Sequence, residues 1–164
     1  MEETQWLRNV TWEQLSTVLH DLNCESFSPF LSQEFLKAWF SQKLLPVHIF
    51  LFYKQGTVCQ FALIGESLKK KYGLTFKLAH INQTGCPQND QVWIEYNTSF
   101  GLKTHQNRFI FLLLKELQRQ NFDMLHVSMT CKFLFPKKYL SNFYVDAHIS
   151  QGFRRSLSQE LTVE

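Results

Sequence analysis

The sequence predicts a single α/β domain, built on a mixed, mostly antiparallel sheet with helices on both of its faces. Three observations predict it. The patterned segments run helix, helix, four strands, helix, strand, strand, so both element types alternate through one chain. The runs Val47 to Lys54 and Thr57 to Gly65 are almost continuously apolar, as strands covered on both faces are. A strand-helix-strand unit after Trp93 then turns a sheet that starts as antiparallel hairpins toward parallel pairing.

Each element has a local cause. Thr11 with Gln14 forms a capping box, and Trp12, Leu15, Val18, Leu19 and Leu22 recur at helical spacing, which predicts a helix over Trp12 to Leu22. Ser32 caps a second helix whose apolar stripe is Phe35, Leu36, Trp39 and Phe40, and Pro46 ends any continuation. Gln55-Gly56 reads as a tight hairpin turn between the two apolar strands. The stretch Ser67 to Gly73 reads as a lysine-rich turn, followed by strands over Leu74 to Ile81 and Gln91 to Tyr96. A helix begins at Thr104, carries Phe109, Leu112, Leu113, Glu116 and Leu117 at helical positions, and stops at Asn121. Phe122 to Met129 and Phe143 to Ala147 read as further strands. Residues 1–150 form the predicted domain, and 151–164 a polar tail or the start of a linker.

Composition narrows the class. The 164 residues are 45% hydrophobic and 19% charged, with 16 Phe, which describes one globular domain with a core of large rings. A net charge of +3 is too small for a nucleic-acid binder; Lys69-Lys70-Lys71, Lys137-Lys138 and Arg154-Arg155 read as solvated turns, not a phosphate-binding patch. Cys24, Cys59, Cys86 and Cys131 form no C-x-x-C pair, and the six histidines have no metal-binding spacing. No apolar run reaches the ~18 residues of a membrane span, and the N-terminus has no signal-like pattern. A cytoplasmic protein is expected.

The most informative stretch is Leu78 to Asn97, LAHINQTGCPQNDQVWIEYN. Asn82, Gly85, Pro87, Asn89 and Asp90 are turn formers for different reasons, so the loop is expected to be ordered. Asn82, Gln83 and Asp90 are candidates to hydrogen-bond a sugar-like or peptide-like substrate; the competing reading is that they satisfy the loop's own backbone. Glu95, beside Trp93 and Tyr96, is the general-base candidate, with plain solvent exposure on an alternating strand as its competitor. Tyr96 is a candidate general acid or hydroxyl ligand, against simple packing. Cys86, between Gly85 and Pro87, is the most exposed-looking thiol, yet no base accompanies it.

The strings PFLSQEFLKAWF at Pro29 to Phe40, QFALIG at Gln60 to Gly65 and INQTG…DQVWIEYN at Ile81 to Asn97 resemble the BioF2-like, cellulose-biosynthesis-type acetyltransferases of the GNAT superfamily. Like the Fem-type transferases, that group has two GNAT-like halves in one polypeptide. The likeness extends from about Trp12 to Asp146 and matches the first half, whereas the resemblance places the acyl-CoA site in the second. It implies an acyltransferase-related domain, with acetyl-CoA or another acyl-CoA as cofactor of the full two-half enzyme and none for this chain alone. It also implies a second GNAT-like half or a homo-oligomer as partner, and a small-molecule or cell-envelope acceptor. The residues agree on the cofactor. A pyrophosphate loop needs closely spaced glycines, Q/R-x-x-G-x-G/A, and no two glycines here are separated by a single residue. Gly101 precedes the Thr104 helix, but its surroundings read S-F-G-L-K-T-H-Q. The competing reading, from another functional class, is a binding or self-association module that keeps the fold without the chemistry.

Overall fold

The computed structural model describes residues 1–22, 32–42, 45–88, 90, 99–101 and 103–127. The elements are β1 (Glu2–Leu7), α1 (Trp12–Leu22), α2 (Gln33–Gln42), β2 (Val47–Lys54), β3 (Thr57–Lys71), β4 (Leu74–Ile81), β5 (Phe100–Gly101), α3 (Gln106–Arg119) and β6 (Met124–His126). The sheet runs β1-β2-β3-β4-β6, with β5 paired to β3 off that path. Every pairing is antiparallel except β4 with β6, which the α3 crossover makes parallel.

Two apolar clusters lie on the two faces. Alternation along β2 and β3 sends Ile49, Leu51, Phe61 and Leu63 to one side, where they meet Leu15, Leu36 and Trp39 of α1 and α2. Phe50, Phe52, Ala62 and Ile64 go to the other, against Phe109, Leu113 and Leu117 of α3. Helices therefore cover both faces, as the continuous apolar runs require.

The local signals act as expected at the helix starts. The Thr11 N–H donates to Gln14 Oε1 at 3.0 Å and the Gln14 N–H to Thr11 Oγ1 at 3.4 Å, so α1 begins with a reciprocal box. The Phe35 N–H donates to Ser32 Oγ at 3.2 Å at the start of α2. Asn121, at φ 58, takes the left-handed conformation that ends α3.

Four expectations are corrected. The chain opens with strand β1, which pairs with β2 along its length; its outer residues are exposed and polar, so it lacks the apolar alternation that marks a strand. Ser67 to Lys71 is not a turn: β3 continues to Lys71, and the turn is the pair Tyr72-Gly73, both at positive φ. Pairing with β4 holds the lysines extended, overriding their low strand propensity. A 3₁₀ turn, Lys103–His105, precedes α3, which begins at Gln106 and not Thr104. The strand after α3 is Met124–His126 among the described residues. The expected strands Gln91 to Tyr96 and Phe143 to Ala147, and the tail after 150, lie outside the described residues.

Candidate functional site around His80

The parallel pairing of β4 with β6 sets Leu78 beside Met124, Ala79 beside Leu125 and His80 beside His126. The two imidazoles meet Nδ1 to Nδ1 at 3.3 Å, ring planes 64° apart. On its other side His80 Nε2 lies 2.7 Å from Ser67 Oγ, because Gly65 on β3 pairs with His80 and Ser67 follows two residues on, on the same face. The result is a hydrogen-bonded chain, Ser67 to His80 to His126. A neutral His80 carries one N–H, so it donates to one neighbour and accepts from the other. Burial pushes the His80 pKa down to about 4, with His126 adding to the effect and Asp90 opposing it. His126, only partly desolvated because its residue is exposed at the end of β6, is lowered in the same direction by that desolvation and opposed by Asp90.

The loop after β4 closes over His80. Asn82, fully buried at φ 52, returns the path to β3: its N–H donates to the Leu63 carbonyl at 2.7 Å and its Oδ1 accepts the Leu63 N–H at 3.0 Å. Gly85 then lies flat on the His80 ring, where a Cβ would sit 2.6 Å from Cδ2. Only glycine fits there, and its φ of +80 asks for glycine as well.

Asp90 holds the loop shut. Its Oδ1 accepts the Thr84 N–H at 2.8 Å and the Thr84 hydroxyl at 2.9 Å, while Oδ2 accepts the Gly85 N–H at 2.7 Å. Consecutive backbone N–H groups pointing at one anion form a nest, and here the anion is the chain's own carboxylate. Asn82 and Asp90 thus brace backbone. Gln83 differs: its side-chain oxygen is buried and receives no hydrogen bond among the described residues. Glu95 and Tyr96 lie outside the described residues. Cys86 is buried, with Sγ 2.9 Å from Gln88 Oε1, which corrects the expectation of an exposed thiol; the Asp90-centred turn folds it inward.

Gly101, at φ +119, serves strand pairing: a Cβ there would lie 2.1 Å from the Cys59 carbonyl oxygen. His105, the residue before α3, makes no side-chain capping bond, and its ring packs edge-on to Phe52. On the opposite face of the sheet, Glu66 receives Lys77 Nζ at 3.0 Å and His48 Nε2 at 3.4 Å. The Asn9 N–H donates to His48 Nδ1 at 3.2 Å, which fixes the neutral tautomer with the proton on Nε2. A surface depression of about 400 Å³, lined by Asn9 to Trp12, Lys37, Phe40 and Ser41, shares no lining residue with the Ser67-His80-His126 chain.

Reading residues in sequence order missed the histidine pair, since His80 and His126 are separated by 46 positions. The usable signal was the likeness of LAH at 78–80 to MLH at 124–126, two strands that a crossover helix sets side by side.

The order β1-α1-α2-β2-β3-β4, a crossover α3 and a parallel β6 is consistent with the GNAT-like architecture that the sequence resemblance implies. No protein-family model matches the chain, and no curated protein does. Similar solved structures include a predicted acetyltransferase with acetyl-CoA from Clostridium acetobutylicum, with TM-score 0.47, 10% identity and coverage of 94% of this chain and 98% of that one. A probable N-acyltransferase from Enterococcus faecalis V583 gives TM-score 0.42 and 12% identity over 77% of this chain, which spans 29% of that protein. An aminoglycoside 6'-N-acetyltransferase from Acinetobacter baumannii gives TM-score 0.41 and 13% identity, covering 99% and 91% of the two chains. At these scores the likenesses carry no argument about what this chain acts on.

Proposed function

We propose that the chain is a GNAT-type, N-acyltransferase-related domain that positions an acceptor, as the non-catalytic half of a two-half enzyme of the BioF2-like kind, and has no acyl-CoA site of its own. One observation carries the reading. The backbone N–H groups of Thr84 and Gly85, which form a nest in the loop after β4, are held by the Asp90 carboxylate. A diphosphate would have to displace a charge already bound at hydrogen-bond distance. Gly101, the remaining glycine before α3, is taken up by its approach to β3. In this reading neither the Thr84–Gly85 nest nor Gly101 is open to an acyl-CoA diphosphate.

The same loop suits an acceptor. It is held by hydrogen bonds at both ends, so polar groups on it need no ordering when a ligand arrives. In this reading the acceptor is a small molecule or a cell-envelope component, and the partner is a second GNAT-like half or another copy of the chain.

Isothermal titration of the purified chain with acetyl-CoA tests it. No binding is expected in the sub-millimolar range for the native chain. Sub-millimolar binding would overturn the reading and make the chain an acyltransferase in its own right.

A further inference from the structure

The β3-β4 hairpin outruns the sheet. β2 pairs with β3 only as far as Gly65, and β6 meets β4 only at Leu78, Ala79 and His80. Residues 68–76 are thus a two-stranded ribbon whose strands pair with one another alone among the described residues. Leu68, Tyr72 and Leu74 on this ribbon are 68%, 91% and 62% exposed, and they are three of the four exposed large hydrophobics among the described residues. Lys69, Lys70 and Lys71 are exposed between them. From Ser67 to Asn89 the sequence holds four lysines and no carboxylate.

The tip is also built against local preference. Tyr72 at φ 52 and Gly73 at φ +77 occupy the two central positions of a tight turn whose first position favours Asn, Asp or Gly. A bulky ring in the left-handed region is an outlier, so folding alone does not select it.

We infer that this ribbon is a peripheral anchor for an anionic lipid surface, with Tyr72, Leu68 and Leu74 entering the interfacial zone and Lys69, Lys70 and Lys71 meeting phosphate headgroups. Size and shape favour this occupant. A specific protein interface engages about 20–30 residues a side, and the ribbon offers nine. A bilayer needs no pocket and no fixed register: aliphatic and aromatic side chains insert while neighbouring lysines stay with the headgroups. Nucleic acid suits the lysines but leaves Leu68 and Leu74 without a partner. The attachment is reversible, since three lysines and three side chains fall short of a stable two-signal anchor.

Co-sedimentation of the full chain with vesicles of phosphatidylcholine alone, and of phosphatidylcholine mixed with phosphatidylglycerol, tests the inference. Binding is expected to the mixed vesicles only, and to weaken as salt is raised. The triple variant K69Q/K70Q/K71Q should lower the partition about a hundredfold. The pair Tyr72→Asn and Leu74→Thr should weaken binding while leaving thermal stability equal or higher, because Asn suits the turn position. Equal binding to neutral and anionic vesicles, unaltered binding by both variants, or no binding at all would overturn it. So would salt-insensitive self-association abolished by Tyr72→Asn, which would assign the ribbon to a second copy.

Discussion

His80 and His126 face each other Nδ1 to Nδ1 at 3.3 Å across the parallel β4-β6 pair, and the burial of His80, with the second imidazole beside it, makes the fold sensitive to acid. In the unfolded chain an imidazole takes up its proton near pH 6.5, whereas buried His80 does so only at about 4. Above pH 6.5 it is neutral in both states and costs nothing. As pH falls from 6.5 to 4 the unfolded state binds the proton first and stability drops, by about 3 kcal/mol for a shift of this size; below 4 the loss levels off. His48 and His126, both lowered chiefly by burial, act in the same sense. Urea unfolding at pH 7 and pH 5 should show the lower stability at pH 5, and His80→Gln should flatten the dependence. A stability that rises on acidification through this window would contradict the assigned neutral state.

Asp90→Ala should release the loop without disturbing the helices. It removes three hydrogen bonds to one carboxylate and leaves the Thr84 and Gly85 N–H groups without their acceptor, an effect of about 3 kcal/mol. Amide hydrogen exchange is the discriminating measurement. Protection should be lost at Thr84 and Gly85 and retained in α1, whose capping box shares no group with the loop. Uniform loss of protection throughout the chain would mean that the loop is not a separate unit.

Gly65→Ala tests whether the loop truly rests on β3. A Cβ at position 65 would lie 2.1 Å from the Gln83 carbonyl oxygen and 2.5 Å from the Thr84 carbonyl carbon, all backbone, so the loop has to lift. The expected signature is a change in the His80 and His126 imidazole resonances together with a loss of about 2–4 kcal/mol. Unchanged histidine resonances in a folded variant would show that the loop does not cover His80.

How much of this was legible in the sequence depended on whether the cause was local. The α1 bounds followed from a capping box and a helical stripe within a dozen residues, and the Leu74–Ile81 strand from its own composition. Glu2–Leu7 became a strand because β2 offers it an edge, which EETQWL does not reveal by itself. Lys69 to Lys71 are extended because Leu74 to Phe76 lie opposite, again a long-range cause. At the site, the reading of Asn82 and Asp90 as residues that satisfy the loop's own backbone is the one their hydrogen bonds carry out. The Ser67-His80-His126 chain depends on three strands coming into register, and no single segment contains that information.

Two glycines at positive φ separate conformational from steric strain. Gly56, at φ +78 in the β2-β3 turn, has open space where a Cβ would stand, with nothing within 4 Å, so Gly56→Ala incurs only the left-handed backbone penalty, about 1–2 kcal/mol. Gly101, at φ +119, adds a collision 2.1 Å from the Cys59 carbonyl oxygen and 2.9 Å from Gln60 Cα, at the pairing of β5 with β3. Gly101→Ala should therefore cost clearly more, about 4 kcal/mol or above, and unseat Phe100 from its stack on Phe61, whose ring centroids are 4.3 Å apart. Thermal unfolding of the two variants side by side decides it: equal shifts in Tm would mean that β5 does not press on β3, because a steric term at Gly101 alone would then be missing.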